Sequence, residues 1–209
     1  MGNHEQLLDY RRSVSEMYAR ARGAGESAAP PRERWERFRR ERDGLFGEHP
    51  QSPLTERAGF RGLEYFPYDP ALRYTLAVDH DVEPESFEVE LRDDGPMLLQ
   101  RFGRVRFTVE GREVGLSLFW VAGYGGGVIL PFRDATSGGE TYGGGRYLLD
   151  TIKHADLGEE EGRLVLDFNY AYNPSCAHDP RWHCPLPPPE NHLPVAIPAG
   201  EKAPRETEG

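Results

Sequence analysis

Hydrophobic positions follow one period near the start of the chain and another after Pro50. Leu7, Leu8, Tyr10, Val14, Met17 and Tyr18 recur at three- and four-residue spacing, the stripe of an amphipathic helix. The small, breaker-rich stretch from Ala21 to Pro30 predicts a loop. Pro31 suits the first turn of a second helix, where its missing N–H has no partner to lose. That helix is predicted to run to about Leu45 with Trp35, Phe38 and Leu45 inward. Its Arg34, Arg37, Arg39, Arg40 and Arg42 interleave with Glu33, Glu36 and Glu41, which reads as a solvated face with i,i+4 pairs.

Beyond Pro50 the alternation is that of strands: Tyr74 to Val78, Phe87 to Leu91, Leu98 to Val109, Arg112 to Val121, Gly127 to Phe132, Arg146 to Ile152 and Leu164 to Phe168. Glu110-Gly111 between two such runs marks a hairpin, with Gly111 supplying a positive φ. From Asn173 onward, prolines at 174, 180, 185, 187, 188, 189, 194 and 198 exclude regular structure over most of the segment. The expected fold is mainly β, an antiparallel barrel or sandwich. An N-terminal helical hairpin (1–48) packs on a β domain (49–202) that ends in a Pro-rich C-terminal arm, and 203–209 form a disordered tail.

Charge narrows the partners. The 209 residues carry 25 Lys and Arg against 35 Asp and Glu, a formal charge of −10, which argues against a general nucleic-acid binder. No run approaches the ~20 apolar residues of a membrane span, and Met1 to Ala21 lacks the apolar core of a secretory signal, so a cytoplasmic protein is expected. The sequence leaves cofactor and oligomeric state unknown.

Chemistry-bearing residues gather in two places. The first is the glycine-rich stretch from Phe132 to Tyr147, with Arg133, Asp134, Thr136, Thr141, Tyr142 and Arg146. Glycines admit a ligand close to the backbone, and two arginines can clamp a carboxylate or phosphate. The competing reading is a long inter-strand loop in which Asp134 and Thr136 cap a turn and Arg146 pairs with Asp134 structurally. The second cluster runs from Asp167 to Cys184 and contains Asn169, Asn173, Cys176, His178, His183 and Cys184. Cys176 and Cys184, with His178 and His183 or with His192, could offer metal donors, but seven residues between the cysteines match no familiar zinc spacing. A disulfide closing that loop is the main rival, and a Cys–His192 nucleophile pair a further one. Tyr65-Phe66-Pro67-Tyr68-Asp69-Pro70 reads as an aromatic turn that packs the helices onto the sheet, with ligand stacking as the alternative. Phe119, Trp120 and Tyr124, beside four glycines, read as core or as a cavity mouth, and His80 and His154 as surface residues.

The run Phe132-x-Asp134-x-Thr136-x-Gly138-x-x-Thr141-Tyr142-x-x-Gly145-Arg146-Tyr147-Leu148 resembles the domain-of-unknown-function family 1684. So do Asp167-Phe168-Asn169, Ala171-Tyr172-Asn173-Pro174-x-Cys176-Ala177, Cys184-Pro185-x-Pro187-Pro188-x-x-Asn191 and Ala199-Gly200-Glu201, together with Ser52-Pro53-Leu54 and Gly62-Leu63-x-Tyr65-Phe66-Pro67. The resemblance spans roughly residues 5 to 202. It implies shared motifs rather than an activity, with the cysteine pair and Asn191 recurrent and His178 and His183 not. That disfavours metal and leaves a disulfide or a structural thiol pair ahead.

The leading expectation is a pocket, formed by the loop 132–147 and the segment 167–192, for a small polar or anionic molecule. Arg133, Asp134, Thr136, Thr141, Tyr142, Arg146, Asn169, Asn173 and Asn191 are its candidate ligand contacts, and Asp134, Tyr142 and His192 its candidate catalytic groups. One alternative is a non-enzymatic protein whose motifs latch the arm to the β body. The other is metal-assisted catalysis through Cys176, Cys184 and His192.

Overall fold

The structure is a computed structural model that describes residues 2–23, 29–91 and 95–205. Met1, the centre of the predicted 21–30 loop (24–28) and the end of the predicted tail (206–209) lie outside the described residues.

Helices α1 (Asn3–Ala21) and α2 (Pro31–Glu48) form the predicted pair, antiparallel, with Arg20 on Glu41 (3.1 Å) near one end and His49 beside Asp9 (3.4 Å) near the other. The inward face of α1 is Val14, Met17, Tyr18 and Ala21, and that of α2 is Trp35, Phe38, Arg42 and Phe46. Arg42 is therefore not on the solvated face that the charge run predicts. It occupies an apolar-stripe position, four residues after Phe38 and seven after Trp35. The helices pack on Tyr147, Ala155, Tyr170 and Tyr172, and the Trp35 indole N–H donates to the Asn169 carbonyl at 2.8 Å. Trp35 also meets Tyr65 and Tyr68 with ring centroids 6.2 and 5.4 Å apart, so the aromatic turn packs the helices onto the body.

The strands form two antiparallel sheets. The larger runs β2 (Glu85–Glu90), β3 (Pro96–Val109), β4 (Arg112–Val121), β5 (Gly127–Phe132), β6 (Arg146–Asp150) in sequential order. In the smaller, β8 (Arg163–Asp167) lies between β1 (Arg73–Leu76) and the short β7 (Glu159–Glu160). Among the described residues neither sheet closes into a barrel. At the junction β1 passes only to an isolated bridge, Asp79 with Arg104, and beyond β8 the chain leaves the ladder in a 3₁₀ turn at Phe168–Tyr170. The two sheets share one core, in which Val105, Phe107, Leu116, Leu118, Leu130 and Phe132 meet Leu166 and Phe168. Val195, Ile197 and Ala199 complete it from the C-terminal segment. Each such large side chain contributes about 1.5–3 kcal/mol on burial.

The β3–β4 hairpin turns through Glu110 (φ 49°) and Gly111 (φ 79°), both in left-handed backbone. That is the primed turn whose twist suits two flanking strands. The predicted strand at Arg146 to Ile152 ends at Asp150, whose carboxylate accepts the Lys153 N–H (3.1 Å) and starts a 3₁₀ turn. After Asn173 the described residues hold single 3₁₀ turns at Ser175–Ala177 and Pro189–Asn191 and isolated bridges at His192 and Glu201, with no α-helix or strand among them, in keeping with the prolines. No helix among the described residues is long and apolar enough to cross a membrane.

Candidate functional site

Between β5 and β6 the glycine-rich loop folds back on itself and closes a buried polar network. Asp134 Oδ1 accepts from the Thr136 N–H (2.8 Å), the Thr136 hydroxyl (2.6 Å) and the Ile197 N–H (3.2 Å). Its Oδ2 accepts from Arg146 Nη2 at 2.8 Å. The Arg146 guanidinium also donates to the carbonyls of Ile197 (3.0 Å), Ala199 and Glu201 (3.2 Å). Thr141 Oγ1 lies 2.9 Å from Thr136 Oγ1. The Asp134 and Arg146 side chains are 0% and 1% exposed. Burial pulls the Arg146 pKa down, and the adjacent Asp134 opposes that. These four predicted ligand contacts do come together, but they face one another and residues 197–201. Arg133 stands apart: its N–H donates to the Asn191 carbonyl (3.0 Å), its carbonyl accepts from Leu193 (2.8 Å), and it is half-buried.

The two fully buried asparagines act as substitute backbone. Asn191 Oδ1 accepts from the Ser117 N–H (2.8 Å), and its Nδ2 donates to the carbonyls of Ser117 (3.0 Å) and Pro131 (2.8 Å). Asn169 treats Asp69 in the same way, with both bonds at 2.8 Å. A strand-like pair made by a side chain fixes each loop without needing a ladder.

A second buried ion pair, unforeseen from the sequence, joins α2 to the C-terminal segment. Arg42 Nε donates to Glu201 Oε1 (2.5 Å), which also accepts from the Tyr65 hydroxyl (3.0 Å), while Oε2 accepts from the Asn173 N–H (2.8 Å). Burial alone would lower the Arg42 pKa, yet Glu201 holds it well above the ordinary value. Gly200 (φ 75°) makes this approach possible, because a Cβ there would lie 2.5 Å from the Ala171 carbonyl.

Beside that pair lies a cleft of about 400 Å³, between the two helices and the stretch 172–184. Leu7, Tyr10, Val14, Tyr18, Phe46 and Trp182 give it apolar walls, and Arg11, Arg42 and Lys153 give it positive charge; no carboxylate lines it. Arg42 is answered by Glu201 and Lys153 by Asp150 at 3.7 Å, whereas Arg11 is exposed at the rim with no ion pair among the described residues. Three lining residues carry a buried polar atom with no hydrogen-bond partner among the described residues: Tyr172 Oη, Asn173 Oδ1 and His183 Nε2. Burial raises the pKa of Tyr10, Tyr18 and Tyr172, so their hydroxyls remain donors at neutral pH.

The glycine-rich loop does border a groove of its own, about 700 Å³ and more open, in which Gly138 to Gly143 face Ala177 to Pro180. Of the predicted ligand contacts only Thr141 and Tyr142 line it, and its charges are mixed, with Glu56 and Asp179 against Arg205.

Cys176 and Cys184 are free thiols, and the Tyr142 hydroxyl points at Cys176 Sγ (3.9 Å). Burial first, then Cys176, pushes Tyr142 up to about 12. His192 Nε2 lies 3.1 Å from the Pro187 carbonyl. His178 lies edge-on to Phe46 (4.9 Å), and burial pulls its pKa down to about 4. Among the described residues no three His, Cys, Asp or Glu side chains converge as a metal ion requires, so Cys176, Cys184 and His192 do not form a ligand set. Of the remaining sequence candidates, Phe119 is core, Trp120 and Tyr124 are exposed, and His80 and His154 lie on the surface.

Comparison with known proteins places these features in a family. No curated protein matches the chain. It is similar to the solution NMR structure of an uncharacterized protein from gene locus rrnAC0354 of Haloarcula marismortui: 37% identity over 81% of this chain and 92% of that one, with a TM-score of 0.59. A family model described as protein of unknown function, DUF1684, matches residues 58–202, which include both chemistry-bearing clusters and the Glu201 carboxylate. The chain belongs to the DUF1684 family.

Proposed function

We propose that the protein binds a small anionic molecule with an apolar body in the cleft between the N-terminal helices and residues 172–184. The observation that carries this reading is the Tyr172 hydroxyl: a donor on a residue 7% exposed, without a partner, in a cleft that three cations line and no carboxylate does. Leaving a buried hydroxyl unpaired costs about 1–3 kcal/mol, and an anionic ligand oxygen removes that cost. Arg11 supplies the uncommitted charge at the rim, and Tyr10, Tyr18 and Trp182 supply flat apolar surface. In this reading α1 and α2 are one wall of the site. The segment 167–192 takes part through Tyr172, Asn173, Ser175 and 182–184, while the loop 132–147 supports it from behind.

A second, compatible reading concerns that support. The Asp134–Arg146 network and Asn191 latch a Pro-rich C-terminal arm onto the β body, and its favouring observation is the three carbonyls of 197–201 held by one guanidinium.

Calorimetric titration with naphthalene carboxylate, decanoate and the neutral naphthalene carboxamide tests the first reading. Both acids should bind, with the amide at least about ten-fold weaker, and Arg11→Ala and Tyr172→Phe should each weaken the acids alone. No binding of either acid, or equal binding of the amide, overturns it.

A further inference from the structure

Tyr172 and Asn173 are consecutive buried residues that the cleft leaves incomplete, and they need opposite things. Burial keeps the Tyr172 phenol protonated, so its hydroxyl has a proton to give and no acceptor among the described residues. Asn173 is 3% exposed. Its backbone N–H donates to Glu201 Oε2 (2.8 Å) and its Nδ2 to the Lys202 carbonyl (2.7 Å). The second bond fixes the amide, because a flipped side chain would set oxygen against oxygen. Oδ1 is then an acceptor with no donor among the described residues. A bare carboxylate completes Tyr172 but has no proton for Asn173. His183 Nε2 donates or accepts according to tautomer, and so does not decide the matter.

Charge selects the kind of donor. Arg11, Arg42 and Lys153 line the cleft and no carboxylate among the described residues does, so an ammonium would meet three cations. A hydroxyl or an amide N–H gives the same bond without that repulsion. Asn173 also borders a second groove, of about 500 Å³, but Glu56, Glu64 and Glu201 line that one and Tyr172 does not. In the cleft both residues line one cavity.

Given the binding reading above, on which this rests, we propose that the cleft selects apolar acids that also carry a neutral hydrogen-bond donor, with hydroxy acids the simplest class. The carboxylate accepts from the Tyr172 hydroxyl, with Arg11 at the rim, and the neutral donor meets Asn173 Oδ1. The apolar body lies against Tyr10, Val14, Tyr18 and Phe46. Such a molecule completes two unpaired buried groups where a plain acid completes one, and the second is worth on the order of ten-fold in affinity.

Calorimetric titration of the full-length chain compares naphthalene carboxylate and decanoate with their hydroxy and acetamido derivatives, substituted at successive positions. The methoxy ether of each hydroxy acid and an aminomethyl analogue complete the set. At least one neutral-donor acid should bind about ten-fold tighter than its parent. The methoxy ether accepts but does not donate, so it should lose a hydroxyl's gain, and the ammonium analogue should bind no better than the parent. In Asn173→Ala the preference for the donor-bearing acid should fall to about one. Tyr172→Phe should weaken both acids and leave the preference in place. If Asn173→Ala does not fold, the comparison of parent, hydroxy acid and ether on the wild type decides alone. Parent acids that bind, with no donor-bearing acid tighter, overturn the hydroxy-acid class and leave the binding reading standing. A preference that survives in folded Asn173→Ala, or is matched by the ether, also overturns it. No binding by any acid overturns the binding reading itself.

Discussion

Two neighbouring regions concentrate polar side chains, and they differ in where their hydrogen bonds go. Around Asp134 and Arg146 every carboxylate oxygen has a donor, and the terminal guanidinium nitrogens reach Asp134 and three carbonyls. Only Nε is left over. In the cleft, Tyr172, Asn173 and His183 each carry an atom with no hydrogen-bond partner among the described residues, and Arg11 has no ion pair among them. Closed networks rigidify a fold, whereas an unmet donor in a concave wall, here the Tyr172 hydroxyl, is what an anionic ligand can complete. The glycine-rich motif has the residue types of an anion site and the geometry of a strut. The cleft has a less conspicuous sequence and the geometry of a site.

Breaking the strut should have the largest effect. Asp134→Ala leaves the Arg146 charge uncompensated at a position sealed from water, and denaturant unfolding should show a loss of about 3–5 kcal/mol. Asn191→Leu orphans the Ser117 N–H and two carbonyls, and should cost at least about 3 kcal/mol at roughly 1–3 kcal/mol per buried group. A near-neutral result for either would mean that the network is not what holds residues 191–201.

The next effect depends on pH and belongs to the ground between the regions. His178 has a folded pKa near 4 against an ordinary value of 6.5. Between these values the unfolded chain binds the proton and the folded one does not. Stability should therefore fall as pH drops through 6.5 and level off below about 4, by on the order of 3 kcal/mol. His178→Phe should flatten that part of the stability–pH curve. An unchanged slope would assign the loss to other groups.

Tyr172→Phe is the smallest in stability and the sharpest for the comparison. It removes a buried hydroxyl with no hydrogen-bond partner among the described residues, so the melting temperature should hold or rise, by at most the shift expected for about 1–3 kcal/mol. The same change should weaken carboxylate binding. A large destabilisation would show that the hydroxyl serves the fold.

Much of the architecture was legible because period and turn chemistry are local. The stripe of α1, the alternation of β3 and β4 and the Glu110-Gly111 hairpin follow from neighbouring residues. Whether the sheets close was not, since closure depends on long-range pairing near Asp79 and Arg104. Arg42 escaped notice because its charge masked its place in the stripe Trp35, Phe38, Arg42, Phe46. Its partner Glu201 lies 159 residues away, beyond any pattern in the sequence. Asp134 and Arg146 were recognisable as a pair, yet whether they face a ligand or the interior turns on where residues 197–201 run. The cleft draws its wall from α1, α2 and 172–184 at once, so no single motif announces it.

An NMR titration of the labelled protein with naphthalene carboxylate tests the central claim most directly. Amide shifts should move at Tyr10, Val14, Tyr18 and Phe46 and along 172–184, and stay still at Asp134, Thr136, Arg146 and 197–199. Shifts centred on Gly138 to Gly143 and Ala177 to Pro180, or spread through the Asp134–Arg146 network, would contradict it.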